Sequence, residues 1–505
     1  MNILDAMNDP KVFGRHFHGD SWAAWRAFLA ALFGLPLSAE QLKLYRQCAG
    51  RDASVTSPTR EAWLVCGRRS GKSFVLAVVA VFLACFRDWR RYLGPGERCT
   101  VMIVAADRRQ ARVIMRYCRG LLKAVPMLER VIEGETRESL DLRHRVTIEV
   151  HTASFRSTRG YAICAALLDE LAFWRQEEST DPDTEIIAAI RPAMATITGA
   201  MLLCASSPYA RRGALWDAHK RHFAKAGDPV LVWQAPTITM NPTVPAHVIT
   251  AAYEADPANA ASEYGAQFRT DIEGFIAKEA VELCLAPHVY ERGPVPGTRY
   301  SAFVDPSGGS ADSMTLAIGH EQDGVAVLDA IRERKPPFSP EAVVAEFAVL
   351  LKSYRVTKVT GDRYAGEWPR ERFDAHGIRY EPAAKPKSEL YRDLLPAINS
   401  RKADLLDHPQ LVAQLVGLER RTARGGRDSI DHAPNAHDDV ANSLAGLVNA
   451  LAIGARKYDS SMQWVGGPDP NDPAPTWAQP RSLWQHPSFN LLRGPGLVRG
   501  GRTRP

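Results

Sequence analysis

Five short apolar segments alternate with helical stretches between residue 61 and about residue 205. The segments are rich in β-branched and aliphatic residues, and each is short enough to be a strand. Strands that alternate with helices predict an α/β domain with a mainly parallel sheet. In chain order the predicted strands are AWLVCG, TVMIVAA, VTIEVHT, AICAALLDE and AMLLCASS.

Ahead of these strands, residues 21–34 place large apolar side chains on one face of a predicted helix. We expect this face to pack on the domain behind it, which is a more common role for such a helix than binding a partner. The face is formed by Trp22, Trp25, Phe28, Leu29 and Leu32.

A second α/β pattern begins at Tyr300, after a break rich in Pro and Gly. It predicts a strand, a hairpin across GHEQDGVAVLDA, a helix at 339–353, the strand KVTGD and then helices to about residue 455. Residues 209–283 are predicted to be mostly helical and irregular. The predicted domains are an N-terminal helical segment at 1–34, an α/β core at 35–208, a helical lid or subdomain at 209–285, a linker at 286–298, a second α/β domain at 299–455 and a tail at 456–505.

The composition is that of a globular protein with a mild basic excess. Lys and Arg number 63 against 57 for Asp and Glu in 505 residues, which gives a net charge of +6. This charge permits a polyanionic partner without requiring one. The eight cysteines show no CxxC spacing, which argues against a zinc site or a disulfide framework.

The chain carries no pattern that predicts a secretory signal or a membrane-spanning segment. The first residues lack the apolar core of a secretory signal, and the longest apolar run, Phe74 to Phe86, is too short to span a bilayer. We therefore expect a cytoplasmic protein that does not bind a membrane. The tail at 456–505 is rich in Pro, Gly and Arg and is expected to be disordered, because it cannot bury enough apolar area to fold.

The strongest local motif is CGRRSGKS, which joins an apolar strand to an apolar helix. Gly71 would let the backbone approach a phosphate, and the helix N-terminus would offer its free N–H groups. Lys72 is expected to reach the β- and γ-phosphates of ATP, and the Ser73 hydroxyl to bind Mg²⁺. Such a loop should open with Gly, but that position holds Cys66, followed by Gly67. The predicted nucleotide-binding residues of the loop are Arg68, Arg69, Ser70, Gly71, Lys72 and Ser73.

Another apolar strand delivers Asp169 and Glu170 to its C-terminal end, where ligands gather on a doubly wound sheet. Asp169 is suited to Mg²⁺ contact, and Glu170 to polarising the water that attacks the γ-phosphate. A third strand ends in Ser206 and Ser207. Their hydroxyls either sense the γ-phosphate or belong only to the turn.

Three arginines are candidates for stabilising the transition state of phosphoryl transfer. Arg68 and Arg69 lie inside the loop, where a cation beside backbone amides is costly unless it faces phosphate. Arg159 precedes the strand that ends at Asp169. It is either a catalytic residue, acting on a neighbouring subunit, or a surface residue with no role.

A set of aspartates in the second α/β domain matches the needs of RNase H-like nuclease chemistry. That chemistry uses carboxylates from separate elements to hold two divalent ions about 4 Å apart. Asp305 and Asp362 each end a predicted strand, and Asp438 and Asp439 open a helix. Either acid of the helix pair could be the ligand, and the helix dipole alone could explain both. Asp312 follows Asp305 by seven residues and would assist.

In their order along the chain, these motifs resemble the large terminase subunit of tailed bacteriophages and prophages, over roughly residues 35–455. CGRRSGKS is similar to that family's deviant Walker A motif, LLDE to its Walker B motif and SSP to its coupling motif. Gln41 resembles the adenine-reading glutamine, and Arg159 stands where the family places a trans-acting arginine. VDPSGGSAD, VTGD and HDD resemble its acidic nuclease triad.

The resemblance implies an α/β architecture with a P-loop ATPase domain and an RNase H-like nuclease domain. It implies ATP and Mg²⁺ at the first site, and two Mg²⁺ or Mn²⁺ ions at the second. It further implies packaging of double-stranded DNA into a procapsid and cleavage of concatemers in the cytoplasm of a bacterial host. The implied partners are DNA, a portal protein, a small terminase subunit and further copies in a ring of about five.

Two other enzyme classes and one binding class compete with this interpretation. A helicase or repair ATPase would carry a second motor domain with its own arginine motifs, and the part after residue 300 shows none. An RNase H-like recombinase with a fused ATPase would transfer strands rather than simply cut them. A binding or assembly protein with a decayed motor would not need both Lys72 and Glu170.

Overall fold

The structure is a computed structural model, and it describes residues 1–52, 57–153, 160–310, 312–362, 368–422, 428–434 and 436–459. The chain divides into a compact unit at Met1–Ile453 and a second unit at Gly454–Pro505. The features below belong to the first unit. The predicted tail at 456–505 lies almost wholly outside the described residues.

An eight-stranded sheet organises the first half of the chain, in the order β3-β4-β5-β2-β6-β7-β1-β8. The strands from β5 to β8 in this order are parallel to their neighbours, whereas β3, β4 and β5 pair antiparallel. The strands are β1 (Glu61–Cys66), β2 (Cys99–Ala105), β3 (Ile132–Glu135), β4 (Ser139–Leu142), β5 (Val146–Thr152), β6 (Ala162–Asp169), β7 (Met201–Ser206) and β8 (Val230–Ala235).

Helices cover both faces of this sheet, as the buried parallel strands require. The larger apolar core lies between one face and helices that include α2, α4 and α5, and a smaller core lies under α7 and α8 on the other face. The helices are α1 (Ile3–Asn8), α2 (Ala23–Leu32), α3 (Ala39–Ala49), α4 (Lys72–Phe86), α5 (Arg108–Lys123), α6 (Pro126–Glu129), α7 (Pro182–Met194), α8 (Gly213–His222), α9 (Thr237–Met240), α10 (Ala246–Ala255) and α11 (Pro257–Glu263).

All five predicted strands of the first half are present, and α2 packs into the larger core as expected. The prediction that residues 209–283 are mostly helical and irregular was wrong at two places, because β8 and β9 (Ile272–Gly274) lie there. Strand β8 pairs parallel with β1, and β9 pairs antiparallel with β17 (Leu418–Thr422). The hairpin of β3 and β4 was also missed. Its strands are four residues each, so their polar and apolar positions form too short a pattern to detect.

The second half contains a seven-stranded sheet in the order β10-β16-β13-β12-β11-β14-β15. Its first three long strands, β11, β12 and β13, pair antiparallel, and β14 and β15 continue parallel to β11. This mixed arrangement is of the RNase H-like kind that the sequence predicted. The strands are β9 (Ile272–Gly274), β10 (Leu285–Ala286), β11 (Tyr300–Asp305), β12 (Met314–Gln322), β13 (Val325–Arg334), β14 (Lys358–Gly361), β15 (Arg379–Pro382), β16 (Ala403–Leu406), β17 (Leu418–Thr422) and β18 (Asp428–His432).

The helices of this half pack on the two faces of the second sheet. The predicted hairpin and the predicted helix at 339–353 are confirmed, but the expectation of helices alone from KVTGD to residue 455 was wrong. Four strands, β15 to β18, interrupt them. The helices are α12 (Lys278–Glu282), α13 (Pro340–Ser353), α14 (Trp368–Ala375), α15 (Lys387–Asn399), α16 (Pro409–Gly417) and α17 (Asp439–Asp459).

A small third sheet joins residues from the predicted subdomain to the second half. In it, β17 pairs antiparallel with both β18 and β9. Residues Ile276, Val281 and Cys284 also lie in the apolar core beneath α15 and α17. The domain boundaries remain a prediction, and these contacts favour a start of the second domain near Ile272 instead of residue 299.

No helix in the described part of the chain is both long enough and apolar enough to cross a membrane. All eight cysteines are free thiols, as their spacing predicted.

Candidate functional sites

The phosphate loop lies where the sequence placed it, between β1 and α4. Gly71 adopts φ 98°, a left-handed conformation that glycine takes at little cost, and α4 begins at Lys72. The Lys72 ammonium donates to the carbonyls of Cys66 and Gly67 at 3.0 and 3.3 Å and to Ser207 Oγ at 3.1 Å. Cys66 therefore contacts Lys72 through its backbone carbonyl. The loop closes around the lysine although this position holds Cys instead of the usual Gly.

Asp169 and Ser73 form the part of this site suited to a cation. Ser73 Oγ donates to Asp169 Oδ2 at 2.8 Å. Burial, together with the neighbouring Glu170, raises the pKa of Asp169 to about 7. Asp169 Oδ1 is buried and has no hydrogen-bond partner among the described residues. A buried carboxylate oxygen without a hydrogen-bond donor, next to a serine hydroxyl, is suited to a hard cation, so Ser73 and Asp169 fit a bound Mg²⁺.

Glu170 connects the lysine to the end of β7. Its Oε1 lies 3.3 Å from the Lys72 ammonium, and its Oε2 accepts from the Ser207 N–H at 3.0 Å and from Ser206 Oγ at 3.2 Å. Glu170 has φ 52°, which is unusual for a residue other than glycine and is found at functional sites. The structure thus brings Lys72, Glu170, Ser206 and Ser207 together.

The loop arginines occupy the exposed side of the phosphate loop. Arg68 pairs with Glu263 at 3.0 Å, while Arg69 is exposed and forms no ion pair within the described residues. Thr237 and Asn241 donate to the carbonyls of Arg68 and Arg69 at 2.7 and 2.8 Å. Sequence reasoning missed these two residues, because they follow β8, a strand that it did not predict.

The remaining nucleotide-site candidates have mixed outcomes. Ser70 Oγ is buried without a partner in the described structure, which fits a phosphate acceptor nearby. The Gln41 side chain accepts from the Ser38 N–H at 3.0 Å and so caps α3. Adenine contact by Gln41 stays a prediction. Arg159 lies outside the described residues.

Asp305 and Asp362 meet at the edge where β11 and β14 end. The two strands run parallel with Val304 opposite Gly361, so the residues that follow each of them are adjacent. Burial and the nearby Asp439, Asp362 and Asp438 raise the pKa of Asp305 to about 8.

The start of α17 is fixed against the same edge. Thr315, opposite Asp305 in the sheet, donates through its hydroxyl to the Asp439 carbonyl at 2.7 Å. Asn442, one turn into α17, donates from Nδ2 to Asp305 Oδ2 at 2.7 Å. The approach is close because position 446 is glycine: a Cβ there would lie 2.2 Å from the Phe303 ring.

Asp438 and Asp439 have different surroundings. Burial and Asp438 raise the pKa of Asp439 to about 6, and Asp439 Oδ2 is buried with no hydrogen-bond partner in the described residues. Asp438 instead accepts from the Tyr391 hydroxyl at 2.7 Å and lies 3.0 Å from the Lys387 ammonium. Asp312 is exposed and contributes to the raised pKa of Asp439.

Clustered carboxylates with raised pKa values and an unpartnered oxygen are an arrangement that a divalent cation stabilises. Asp305 and Asp439 are such carboxylates, and Asp362 lies next to Asp305 at the end of β14, so the three fit Mg²⁺ or Mn²⁺. Sequence reasoning missed Lys387, Tyr391 and Asn442, since each is an ordinary helix residue. The spacing of Lys387 and Tyr391 by one helical turn was their only signal.

The fold and the two clusters together define an α/β chain in which a P-loop domain precedes an RNase H-like domain. No family model matches the sequence, and no curated protein matches it. Among solved structures, the large terminase of bacteriophage HK97 is 17% identical with a TM-score of 0.40, over 89% of this chain and 99% of that one.

Two further solved structures are similar. The large terminase of another bacteriophage, a thermophilic one, is 12% identical with a TM-score of 0.35, over 83% of this chain and 99% of that one. The large terminase nuclease of the thermophilic phage G20c with bound magnesium is 17% identical with a TM-score of 0.31, over 35% and 96%. Sequence identities and TM-scores this low do not justify assigning the function of these proteins to this chain. The proposals below therefore rest on the chain's own side chains.

Proposed function

We propose that this protein is a DNA-packaging enzyme, which hydrolyses ATP to move double-stranded DNA and cuts that DNA at a second, metal-dependent site. The observation that carries the proposal is the presence in one chain of two phosphate-directed sites. One joins Lys72 to Glu170 at a phosphate loop, and the other gathers Asp305, Asp362 and Asp439 on an RNase H-like sheet.

At the first site, Lys72 would exchange its contacts with loop carbonyls for the β- and γ-phosphates of ATP. Glu170 would orient the attacking water and accept its proton. Ser206 and Ser207 are hydrogen-bonded to Glu170. Through these contacts, the presence or loss of the γ-phosphate would change the position of the segment after β7. Ser73 and Asp169 would hold a divalent ion, which would neutralise charge on the phosphates.

At the second site, Asp305, Asp362 and Asp439 would hold a divalent cation, and such an ion would supply the Lewis acidity that activates water. Asn442 fixes one oxygen of Asp305 and so leaves the other free to face the ion. This arrangement suits hydrolysis of a phosphodiester.

The DNA partner is supported by a row of cations on α5. The row consists of Arg109, Arg112, Arg116, Arg119 and Lys123, whose spacing places them on one helix face. All of the row except Lys123 lines a groove of about 850 Å³, together with Arg137 from the β3–β4 turn. Glu135 pairs with Arg119 and Lys123, while Arg109, Arg112 and Arg116 are exposed without an ion pair among the described residues. Such a groove is suited to binding the phosphate backbone of DNA without contacts to the bases.

The proposal extends to the partners that the resemblance implies. They are a portal protein, a small terminase subunit and further copies of this chain in a ring of about five. In that assembly Arg69 or Arg159 would act on the phosphates, with Arg159 reaching a neighbouring subunit.

ATP turnover with and without linear double-stranded DNA tests the proposal. We expect DNA to raise the turnover several-fold, and the gain to fall steeply with salt, because the contacts are to phosphate. Arg112→Ala with Arg116→Ala should weaken the stimulation but spare basal turnover. Arg108→Ala, on the same helix but outside the groove, is the matched control. Turnover that DNA leaves unchanged would remove the motor from the proposal.

A further inference from the structure

A second acidic cluster lies beside the proposed nuclease triad. Asp431, His432 and Asp438 have ligand atoms within 4.8 Å of one another, a spacing that could hold a metal ion. The cluster adjoins the triad, because Asp438 precedes Asp439 and contributes to the raised pKa of Asp305.

A side chain of the protein already provides a positive charge to this cluster. The Lys387 ammonium lies 2.8 Å from Asp431 Oδ1 and 3.0 Å from Asp438 Oδ2. The second oxygen of Asp438 is 3.3 Å from the same nitrogen. A divalent ion bound between these two carboxylates would face the ammonium at close range, and in a half-buried site that repulsion would strongly disfavour the ion.

The position of Lys387 is fixed by its helix. It is the first residue of α15, and its neighbour Ser388 accepts from the Ile430 N–H at 2.9 Å, which ties the helix start to β18. One turn later, Tyr391 donates to Asp438 Oδ2 at 2.7 Å. Two residues of one helix face therefore hold Asp438.

The two acids at the start of α17, Asp438 and Asp439, therefore differ in their side-chain partners. Asp438 has both oxygens engaged by Lys387 and Tyr391, whereas Asp439 Oδ2 is buried without a hydrogen-bond partner in the described chain and lies 4.0 Å from His437 Nδ1. Of the pair, Asp439 is the one available to a cation.

We propose that Lys387 occupies the position that a divalent ion would take between Asp431 and Asp438, so that metal binding at the nuclease centre is confined to Asp305, Asp362 and Asp439. The inference rests on the proposed nuclease function and narrows it. Lys387 is a positioning residue in this scheme, since it acts by neutralising Asp431 and Asp438.

The number of bound Mn²⁺ ions per full-length chain, without nucleotide, tests this directly. It can be measured from the loss of the free Mn²⁺ signal in electron paramagnetic resonance. We expect Asp305→Asn to lower the count relative to the unaltered chain. Lys387→Met should gain one ion, because it frees Asp431 and Asp438, and adding Asp431→Asn should remove that gained ion again.

Lys385→Met is the matched control, since Lys385 pairs with Asp393 and should leave the count unchanged. Lys387→Gln provides a second neutral variant should the methionine variant not fold, as judged by its melting curve. A folded neutral variant that gains no ion would overturn the inference and leave the nuclease proposal standing. An unaltered chain whose count Asp305→Asn does not change would overturn both.

Discussion

Each site keeps buried carboxylates in surroundings that favour their protonated form. Asp169 beside the phosphate loop and Asp305 at the end of β11 both have raised pKa values, chiefly because burial removes water from the charged form. A protein gains nothing in stability from such groups. The free-energy cost of burying these carboxylates is explained if a cation is bound in the active state, because the ion stabilises their charged form.

Asp305 predicts how the metal-free protein responds to pH. Its pKa rises from 3.8 in the unfolded chain to about 8 in the folded one, so between these values the folded protein binds a proton that the unfolded chain has lost. Stability should therefore fall as pH rises from about 4 to about 8. Melting temperatures in chelator should show this decline, and Asp305→Asn should flatten it. Saturating Mn²⁺ should raise the melting temperature most at the alkaline end. A decline of equal size in Asp305→Asn would assign it to another group.

At the scale of elements, the nuclease centre depends on how closely α17 approaches β11. Small and apolar residues of α17 fill the contact, including Ala441 and Ala445, and Gly446 lies against Phe303. Phe303 is itself fully buried, so its ring has no space into which it can move. The approach places Asp439 and Asn442 beside Asp305.

Gly446→Ala tests this contact. The added Cβ would overlap the Phe303 ring, and we expect a loss of about 1–3 kcal/mol in unfolding free energy. Mn²⁺ binding should weaken as well, since Asp439 moves with the helix. Gly417→Ala is the control, because a Cβ at that helical glycine meets nothing within 4 Å. Urea unfolding measures the first effect, and equal stabilities for the two variants would contradict the packing argument.

At the scale of the whole molecule, a buried acid joins the ATP-site half to the nuclease half. Glu419 of β17 is fully buried and accepts from the Tyr209 hydroxyl at 2.7 Å. It also pairs with Arg212 and, at 3.1 Å, with Arg421. Tyr209 and Arg212 follow Ser206 and Ser207, which contact Glu170. Residues 206–212 of the chain therefore link the ATP site to the hairpin that carries Asp431.

Glu419→Ala should destabilise the protein strongly. Removing the acid leaves two partly buried guanidinium groups without their partner, and we expect a cost of about 3 kcal/mol. Glu346→Ala breaks an exposed pair with Arg334 and should cost about 1 kcal/mol or less. Chemical denaturation of both variants checks the contrast. Similar losses would mean that Glu419 contributes little to joining the two halves.

How much of the fold and of the candidate sites the sequence predicts depends on how far apart in the chain the residues behind each prediction lie. Lys72, Glu170 and the strands that carry them were predictable because motif and strand lie next to each other in the chain. Asp305 and Asp362 were predictable because each ends an apolar strand. The choice between Asp438 and Asp439 was not, since it depends on Lys387 and Tyr391, which lie in a separate helix earlier in the sequence. The strand β8 was missed because its role as the partner of β1 is set by tertiary contacts.

The most direct test of the central claim separates the two activities in one chain. Supercoiled plasmid cleavage in Mn²⁺ and ATP turnover should be measured on Lys72→Ala, Glu170→Gln, Asp305→Asn and Asp362→Asn. We predict that the first two variants lose ATP turnover by at least about 100-fold, as removal of transition-state groups does, and still nick DNA. The aspartate variants should lose cleavage and keep ATP turnover. Plasmid cleavage at the unaltered rate in Asp305→Asn or Asp362→Asn would contradict the account.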